Sequence, residues 1–142
     1  MKSIKDIIST KKLLTVKSGS NIYDAVCFMA EHNIGLVPIL AEDGKLLGVF
    51  SERDLLKRVI AKGLDLKSST IDSVMTKELL LADINESHQQ CLKKMQEKGT
   101  RHILVFENEK LAGIISMRDL LQIDIEVHQE TIEVLHKYIY ST

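Results

Sequence analysis

KLLGVFSERDLL, residues Lys45–Leu56, returns as KLAGIISMRDLL, residues Lys110–Leu121, with eight of twelve positions identical at an offset of 65. Upstream the offset is 66: Met29 meets Met95, Glu31 meets Glu97, and Pro38–Ile39 meets Leu104–Val105. One residue is lost between the two registers, where AEDGK (Ala41–Lys45) becomes ENEK (Glu107–Lys110). A hairpin turn is where an antiparallel pair tolerates such a change. A chain of 142 residues could hold one ordinary domain or two very small ones. The repeat decides for two half-units.

Each half carries the same order of elements. Ile22, Ala25, Val26, Met29 and Ala30 follow the spacing of one helix face, and His88, Cys91, Leu92, Met95 and Gln96 repeat it more weakly. Asn33 and Gly99 stand at equivalent places after these helices and suit a left-handed C-cap. Leu36–Leu40 and His102–Phe106 read as strands. Leu46–Phe50 and Leu111–Ile115 return antiparallel to them. A short strand is expected before each first helix, at Leu13–Val16 and Leu79–Leu81, and a second helix opens at Ser51 or Ser116. The unit is strand–helix–strand–strand–helix, an α+β class. Residues 1–63 form the first repeat, 64–73 a polar linker, 74–122 the second repeat and 123–142 a helical extension. Neither half alone carries more than a small sheet, so the two are expected to share a core.

Composition excludes several functions. Nineteen Lys and Arg against twenty Asp and Glu give a formal charge of −1, without the basic excess of a nucleic-acid binder. Aromatics are only 4%, with no Trp, which disfavours a base-stacking platform. Apolar runs are too short to span a bilayer, and MKSIKDIIST lacks the apolar segment of a secretory signal. A cytoplasmic chain is expected, with Cys27 and Cys91 reduced.

The most informative motif is Gly-x-x-Ser-x-x-Asp, at Gly48, Ser51, Asp54 and again at Gly113, Ser116, Asp119. Ser followed three residues later by an acid is close to a capping box, and structural capping is one reading. A second uses the same geometry. A helix N-terminus suits a phosphate, a Ser hydroxyl joins it, and an Asp carboxylate accepts hydrogen bonds from vicinal ribose hydroxyls. Gly lets a ligand approach the strand backbone. Arg53 and Arg118 are open to a surface ion pair with a nearby acid, a contact worth little.

With these residues in place, the chain resembles a pair of cystathionine β-synthase (CBS) domains, a Bateman module. The resemblance runs through IGLVPILAEDGKLLGVFSERDLL and VMTKELLLADINESHQQCLKKMQEKGTRHILVFENEKLAGIISMRDLL and covers roughly Ile4–Leu121. The C-terminal stretch is similar to the tails of small bacterial stand-alone CBS-pair proteins. The resemblance implies two clefts between the halves that bind adenosyl compounds such as AMP, ADP, ATP, NAD or S-adenosylmethionine, and a disc-shaped homodimer. One implied cleft has Asp119 for ribose, Ser116 and Arg118 near phosphate and Ile114 beside the base, with Ile34, Gly35, Leu36, Leu14 and Lys12 opposite. The other has Asp54, Ser51, Arg53 and Val49, facing Thr100, Arg101, His102, Leu80 and Thr76. Gly35–Leu36 becomes Arg101–His102 in the second half, adding two groups able to meet phosphate oxygens. The Asp54 cleft is therefore expected to take the more highly charged ligand.

His102 also fits a half-buried strand position. His88 and Cys91 are a helix-spaced pair, but two ligands do not close a zinc site, and no metal is expected. Cys91 aligns with Ala25 and reads more simply as a small core residue. No nucleophile elbow, P-loop or GxGxxG occurs, so catalysis is not expected and no cofactor is required beyond a regulatory nucleotide.

The tail reads as one helix from Met117 to Tyr140. Leu121, Ile125, His128, Ile132, Leu135 and Ile139 form a heptad-like line, with Val127, Thr131, Val134 and Tyr138 beside it. Folding back on its own module and forming a dimer or partner seam both fit. Two functions stand. One is a nucleotide-sensing regulatory module acting on an unidentified protein. The other is a structural protein working through the C-terminal seam with no nucleotide.

Overall fold

The hairpin strands of the repeats carry runs of consecutive buried residues, Val37–Ile39 and Gly48–Phe50 in the first and Ile103–Val105 in the second, and pairing with a third short strand completes each sheet. The computed structural model describes residues 3–140. The elements are α1 (Ile4–Thr10), β1 (Val16–Lys17), α2 (Ile22–His32), β2 (Leu36–Leu40), β3 (Leu46–Ser51) and α3 (Glu52–Asp54), which continues as a π-helical turn over Leu55–Ile60. A 3-10 turn (Ile71–Ser73) follows, then β4 (Leu81–Asp83), α4 (His88–Lys98), β5 (His102–Glu107), β6 (Lys110–Ser116) and α5 (Met117–Tyr140). The sheets have the orders β1-β2-β3 and β4-β5-β6, each with one parallel and one antiparallel pairing. This is the α+β class expected from the repeat.

Local signals act where the sequence places them. Asn33 and Gly99 end α2 and α4 in the left-handed region at φ 53° and 74°. Asn108 and Glu109, both at positive φ, make the shorter second hairpin turn. Two strands begin later than expected, β1 at Val16 and β4 at Leu81. Of the apolar runs LLTV and LLL only Val16 is buried, and the ladder starts only where β2 and β5 offer partners, at Ile39 and Leu104.

The chain divides into two compact units, Leu14–Leu79 and Met1–Leu13 with Leu80–Thr142. Most buried apolar residues fall into two clusters, one in each unit. Val16, Ile22, Met29, Val37, Ile39, Phe50, Val59 and Ile71 belong to the first. Ile4, Ile8, Cys91, Met95, Ile103, Val105, Ile115 and Leu120 belong to the second. The α2 and α4 stripes bury Ile22, Ala25 and Met29, and His88, Cys91 and Met95, but Ala30 and Gln96 are exposed. Polar residues 64–73 pack onto α2: the Ile22 and Tyr23 amides donate to the Ser69 and Leu66 carbonyls, and Ile71 is fully buried.

Helix α1 is the element that sequence reasoning overlooked. Its signal was present, because Ser3 and Asp6 form a reciprocal capping box. Ile4 and Ile8 from α1 enter the core of β4-β5-β6, so the first helix of the chain completes the second repeat's unit. On α5, Leu120 and Ile123 face that core, while Leu121 and Ile125 of the heptad-like line are exposed. His128 is exposed as well; the side chains of Ile132, Leu135, Ile139, Val127, Thr131, Val134 and Tyr138 lie outside the described residues.

Gly48 and Gly113, equivalent in the repeat, are packed unlike each other. A Cβ on Gly48 would lie 2.7 Å from the Thr76 carbonyl oxygen and 2.9 Å from the Met75 sulfur. A Cβ on Gly113 would meet the Ile8 Cδ1 tip at 2.6 Å, with the next atom at 3.4 Å. A side-chain tip can rotate away; a backbone carbonyl hydrogen-bonded to the Val49 amide at 2.9 Å cannot. Gly48→Ala should therefore cost about 1–3 kcal/mol in urea unfolding, and Gly113→Ala clearly less. A Gly113→Ala cost equal to or above that of Gly48→Ala would refute the assignment.

Candidate functional site

Both Gly-x-x-Ser-x-x-Asp motifs lie where a strand runs directly into a helix. In unit Leu14–Leu79, Ser51 caps α3, and its hydroxyl accepts the Asp54 amide at 3.2 Å. Asp54 answers by accepting the Ser51 amide at 3.0 Å and the Ser51 hydroxyl at 3.1 Å. The Thr76 hydroxyl donates to the other carboxylate oxygen at 3.0 Å, and Arg58 Nε lies 3.5 Å from it. Arg58 is itself fixed, donating to the Met75 carbonyl at 3.0 Å. Asp54 is only 7% exposed, and this network explains how a carboxylate is held there. Thr76 reaches it because its amide and carbonyl bridge to Val49 at 2.7 and 2.9 Å, beside the glycine that leaves room for them.

The other unit repeats this arrangement with different chemistry. The Ser116 amide donates to Asp119 at 2.9 Å, and the Asp119 amide to the Ser116 hydroxyl at 3.1 Å. The further partner is Lys11, the C-cap of α1, whose ammonium pairs with the Asp119 carboxylate. Burial pushes the Asp119 carboxyl up, but the Lys11 and Ser116 hydrogen bonds outweigh it and hold it below the usual carboxylate range. Its contribution to stability is therefore complete above the ordinary carboxylate range and fades as the pH falls through its lowered value. Both Ser–Asp pairs are genuine capping boxes. The structural reading of the motif is fulfilled in both units.

The cations at these carboxylates are not the ones the motif suggested. Arg53 and Arg118 are exposed and make no ion pair among the described residues. Arg58 was legible as an i+4 partner of Asp54. Lys11 lies 108 residues from Asp119 and gave no local signal. Lys12, named by the resemblance, is the exposed neighbour of the residue that makes the contact.

The remaining residues carried over from the resemblance divide between the units. With Asp54 lie Val49, Ser51, Arg53, Thr76, Leu14, Ile34, Gly35 and Leu36; with Asp119 lie Lys12, Ile114, Ser116, Arg118, Leu80, Thr100, Arg101 and His102. The Gly35 carbonyl accepts the Glu52 amide at 3.0 Å, as the Arg101 carbonyl accepts the Met117 amide at 2.7 Å. Thr100 and half-buried His102 lead into β5, where His102 is paired with Ser116. A polar pocket of about 520 Å3 adjoins the Asp54 network, lined by Arg58, Asp72, Ser73, Met75, Thr76, Lys77 and Glu78. Burial raises the Asp72 carboxyl, but the Ser18 hydroxyl and the Gly19 amide outweigh this and leave it below its usual range.

His88, buried on α4, faces Asp124 of α5 at 3.2 Å rather than forming a site with Cys91. Burial, with Glu86 adding to it, pushes the Cys91 thiol up to about 11, as befits a small core residue. Among the described residues, no group of three or more His, Cys, Asp or Glu is placed to hold a metal ion, and no helix is long and apolar enough to cross a membrane.

The CBS domain profile matches twice, over residues 4–61 and 71–126. The chain belongs to the CBS-domain family. Its CBS pair is 31% identical over 120 residues to the CBS domain-containing protein YhcV of Bacillus subtilis, covering 84% of each chain. The crystal structure of an uncharacterized conserved protein from Pyrococcus horikoshii superposes with a TM-score of 0.77 at 34% identity, over 86% of this chain and 91% of that one. The CBS pair of protein MJ0100, solved in complex with 5′-methylthioadenosine and S-adenosyl-L-methionine, has a TM-score of 0.75 at 27% identity, over 87% and 95% of the two chains. CBS pairs are regulatory modules, and adenosyl ligands are what that relative holds.

Proposed function

We propose that this CBS pair is a non-catalytic sensor of adenosyl nucleotides, with Asp54 and Asp119 accepting the ribose hydroxyls of two separate ligands. The observation that carries this reading is the repeated junction itself. Twice a strand ends in a Ser-capped helix start, with a hydrogen-bonded carboxylate and a cation beside it. The cap leaves other N–H groups of the helix start for phosphate oxygens. The related pair bound to two adenosyl compounds supports the ligand class. AMP, ADP, ATP and NAD belong to the same class.

The other contacts follow the family assignment. Ser116, Arg118, Ile114, Lys12, Leu14, Ile34, Gly35 and Leu36 serve the Asp119 ligand. Ser51, Arg53, Val49, Thr76, Leu80, Thr100, Arg101 and His102 serve the Asp54 ligand, which carries the greater charge. The protein works in the cytoplasm as a homodimer. Leu56 and Ile60 are exposed at 64% and 55%, and their repeat equivalents Leu121 and Ile125 at 44% and 53%, which supports an apolar contact with a second copy. Ligand binding need favour one arrangement over another by only about 1–3 kcal/mol to signal to a regulated partner.

A thermal-shift screen with AMP, ADP, ATP, NAD and S-adenosylmethionine tests the reading. A ligand at roughly 100 times its Kd adds about 2.7 kcal/mol. At about 2–4 °C per kcal/mol, the midpoint should rise by about 5–10 °C. If none of these compounds moves it at millimolar concentration, the sensor reading fails, and the exposed apolar pairs would then favour a purely structural interaction protein.

A further inference from the structure

We propose that Lys11 makes the Asp119 site selective for phosphate-bearing adenine nucleotides over uncharged adenosyl compounds. The inference rests on the nucleotide reading above and deepens it.

In the upstream register of the repeat, offset 66, Thr76 corresponds to Thr10 and Lys11 to Lys77, so Lys11 and Thr76 reach their carboxylates from adjacent rather than equivalent positions. Each donates to the carboxylate of its own unit, Thr76 to Asp54 and Lys11 to Asp119. A neutral hydroxyl thus serves the carboxylate of one unit and an ammonium that of the other. Both carboxylates also cap a helix start through a Ser three residues earlier, and Asp54 alone has an arginine, Arg58, beside it.

The difference decides what a ligand must bring. A ribose diol is a neutral donor pair and needs the carboxylate's lone pairs. At Asp119, one carboxylate oxygen already accepts both the Ser116 amide and Lys11. A diol seated there competes with an ion pair, and Lys11 loses its counter-charge beside the carbonyl end of α1. Water covers part of that loss, because the Lys11 side chain is 41% exposed. An uncharged nucleoside offers nothing in return. A nucleotide brings a second anion to which the flexible lysine can turn. At Asp54 no such exchange is required. Thr76 is neutral, and the nearby cation, Arg58, is also fixed by the Met75 carbonyl, so it keeps a partner when a diol arrives.

The test compares AMP with adenosine by calorimetry on the full chain, with Asp54→Asn silencing the other site. Lys11→Thr gives the Asp119 site the chemistry of its counterpart, and Lys11→Gln removes the charge at similar length if the first variant folds poorly. The ratio of AMP to adenosine affinity should fall about tenfold in either variant, with adenosine binding as well as before or better. A ratio that stays within about twofold, or adenosine and AMP weakening together, overturns the selectivity role while leaving the sensor reading intact. If neither compound binds the protein with Lys11 present, the sensor reading falls and this inference falls with it.

Discussion

Phe50→Ala is expected to destabilise the protein by about 3–5 kcal/mol and to lower its thermal midpoint by about 10 °C. Phe50 is the largest fully buried side chain and stands on β3 opposite Val37. Around it gather Ile22 and Met29 from α2, Ile39 from β2, and Val59 and Ile71 from the segments after α3. Removing the ring opens a cavity in that cluster, whose members are drawn from separate elements and cannot all move in to close the gap. Phe50→Leu keeps most of the volume and should cost under about 1.5 kcal/mol. Urea unfolding of the two variants measures both. An alanine cost below about 2 kcal/mol would mean that this core relaxes around the cavity, contrary to the packing described.

The second large effect belongs to Asp54. Asp54→Ala should cost about 2–4 kcal/mol and abolish one of two binding events in a nucleotide titration, whereas Asp119→Ala should abolish the other at only about 1 kcal/mol. Both substitutions remove an N-terminal cap. Only the first also strands the part-buried Thr76 hydroxyl and takes the carboxylate from Arg58. At Asp119 the abandoned partner is a half-exposed lysine that water can solvate. Equal stability losses in the two variants would show that the Thr76–Arg58 network does not hold Asp54. Unchanged stoichiometry in both would show that neither carboxylate carries the ligand.

The repeat made most of the architecture readable before any coordinates. KLLGVFSERDLL and KLAGIISMRDLL contain strand, turn chemistry and helix cap within twelve residues, and such local information survives folding nearly unchanged. Asn33 and Gly99 ended their helices where cap chemistry requires. What could not be read depends on tertiary partners. Strand starts at Val16 and Leu81 follow the neighbouring strand's register rather than the apolar run. On α5, Leu120 and Ile123 were not separable from the heptad-like line by spacing alone, because the helix carries more apolar lines than one core can bury. The site shows the same division. Ser51, Asp54, Ser116 and Asp119 were legible from their motif, and Arg58 from helix spacing. Lys11 was not, because it meets its carboxylate only after the chain's first helix crosses to the second repeat's sheet.

That crossing also puts the halves out of step in time. The unit Leu14–Leu79 is one continuous stretch and can close as soon as its last residue is available. The other must keep Ile4 and Ile8 waiting until β4, β5, β6 and the start of α5 exist to receive them. At roughly 5–20 residues per second on the ribosome, the interval from the start of α1 to Ile123 is about 6–24 s. During it a helix too short to persist alone trails from an already folded neighbour. The Lys11–Asp119 pair joins residues made near the two ends of that interval, so one of the two capped carboxylates gains its cation only as the interval closes.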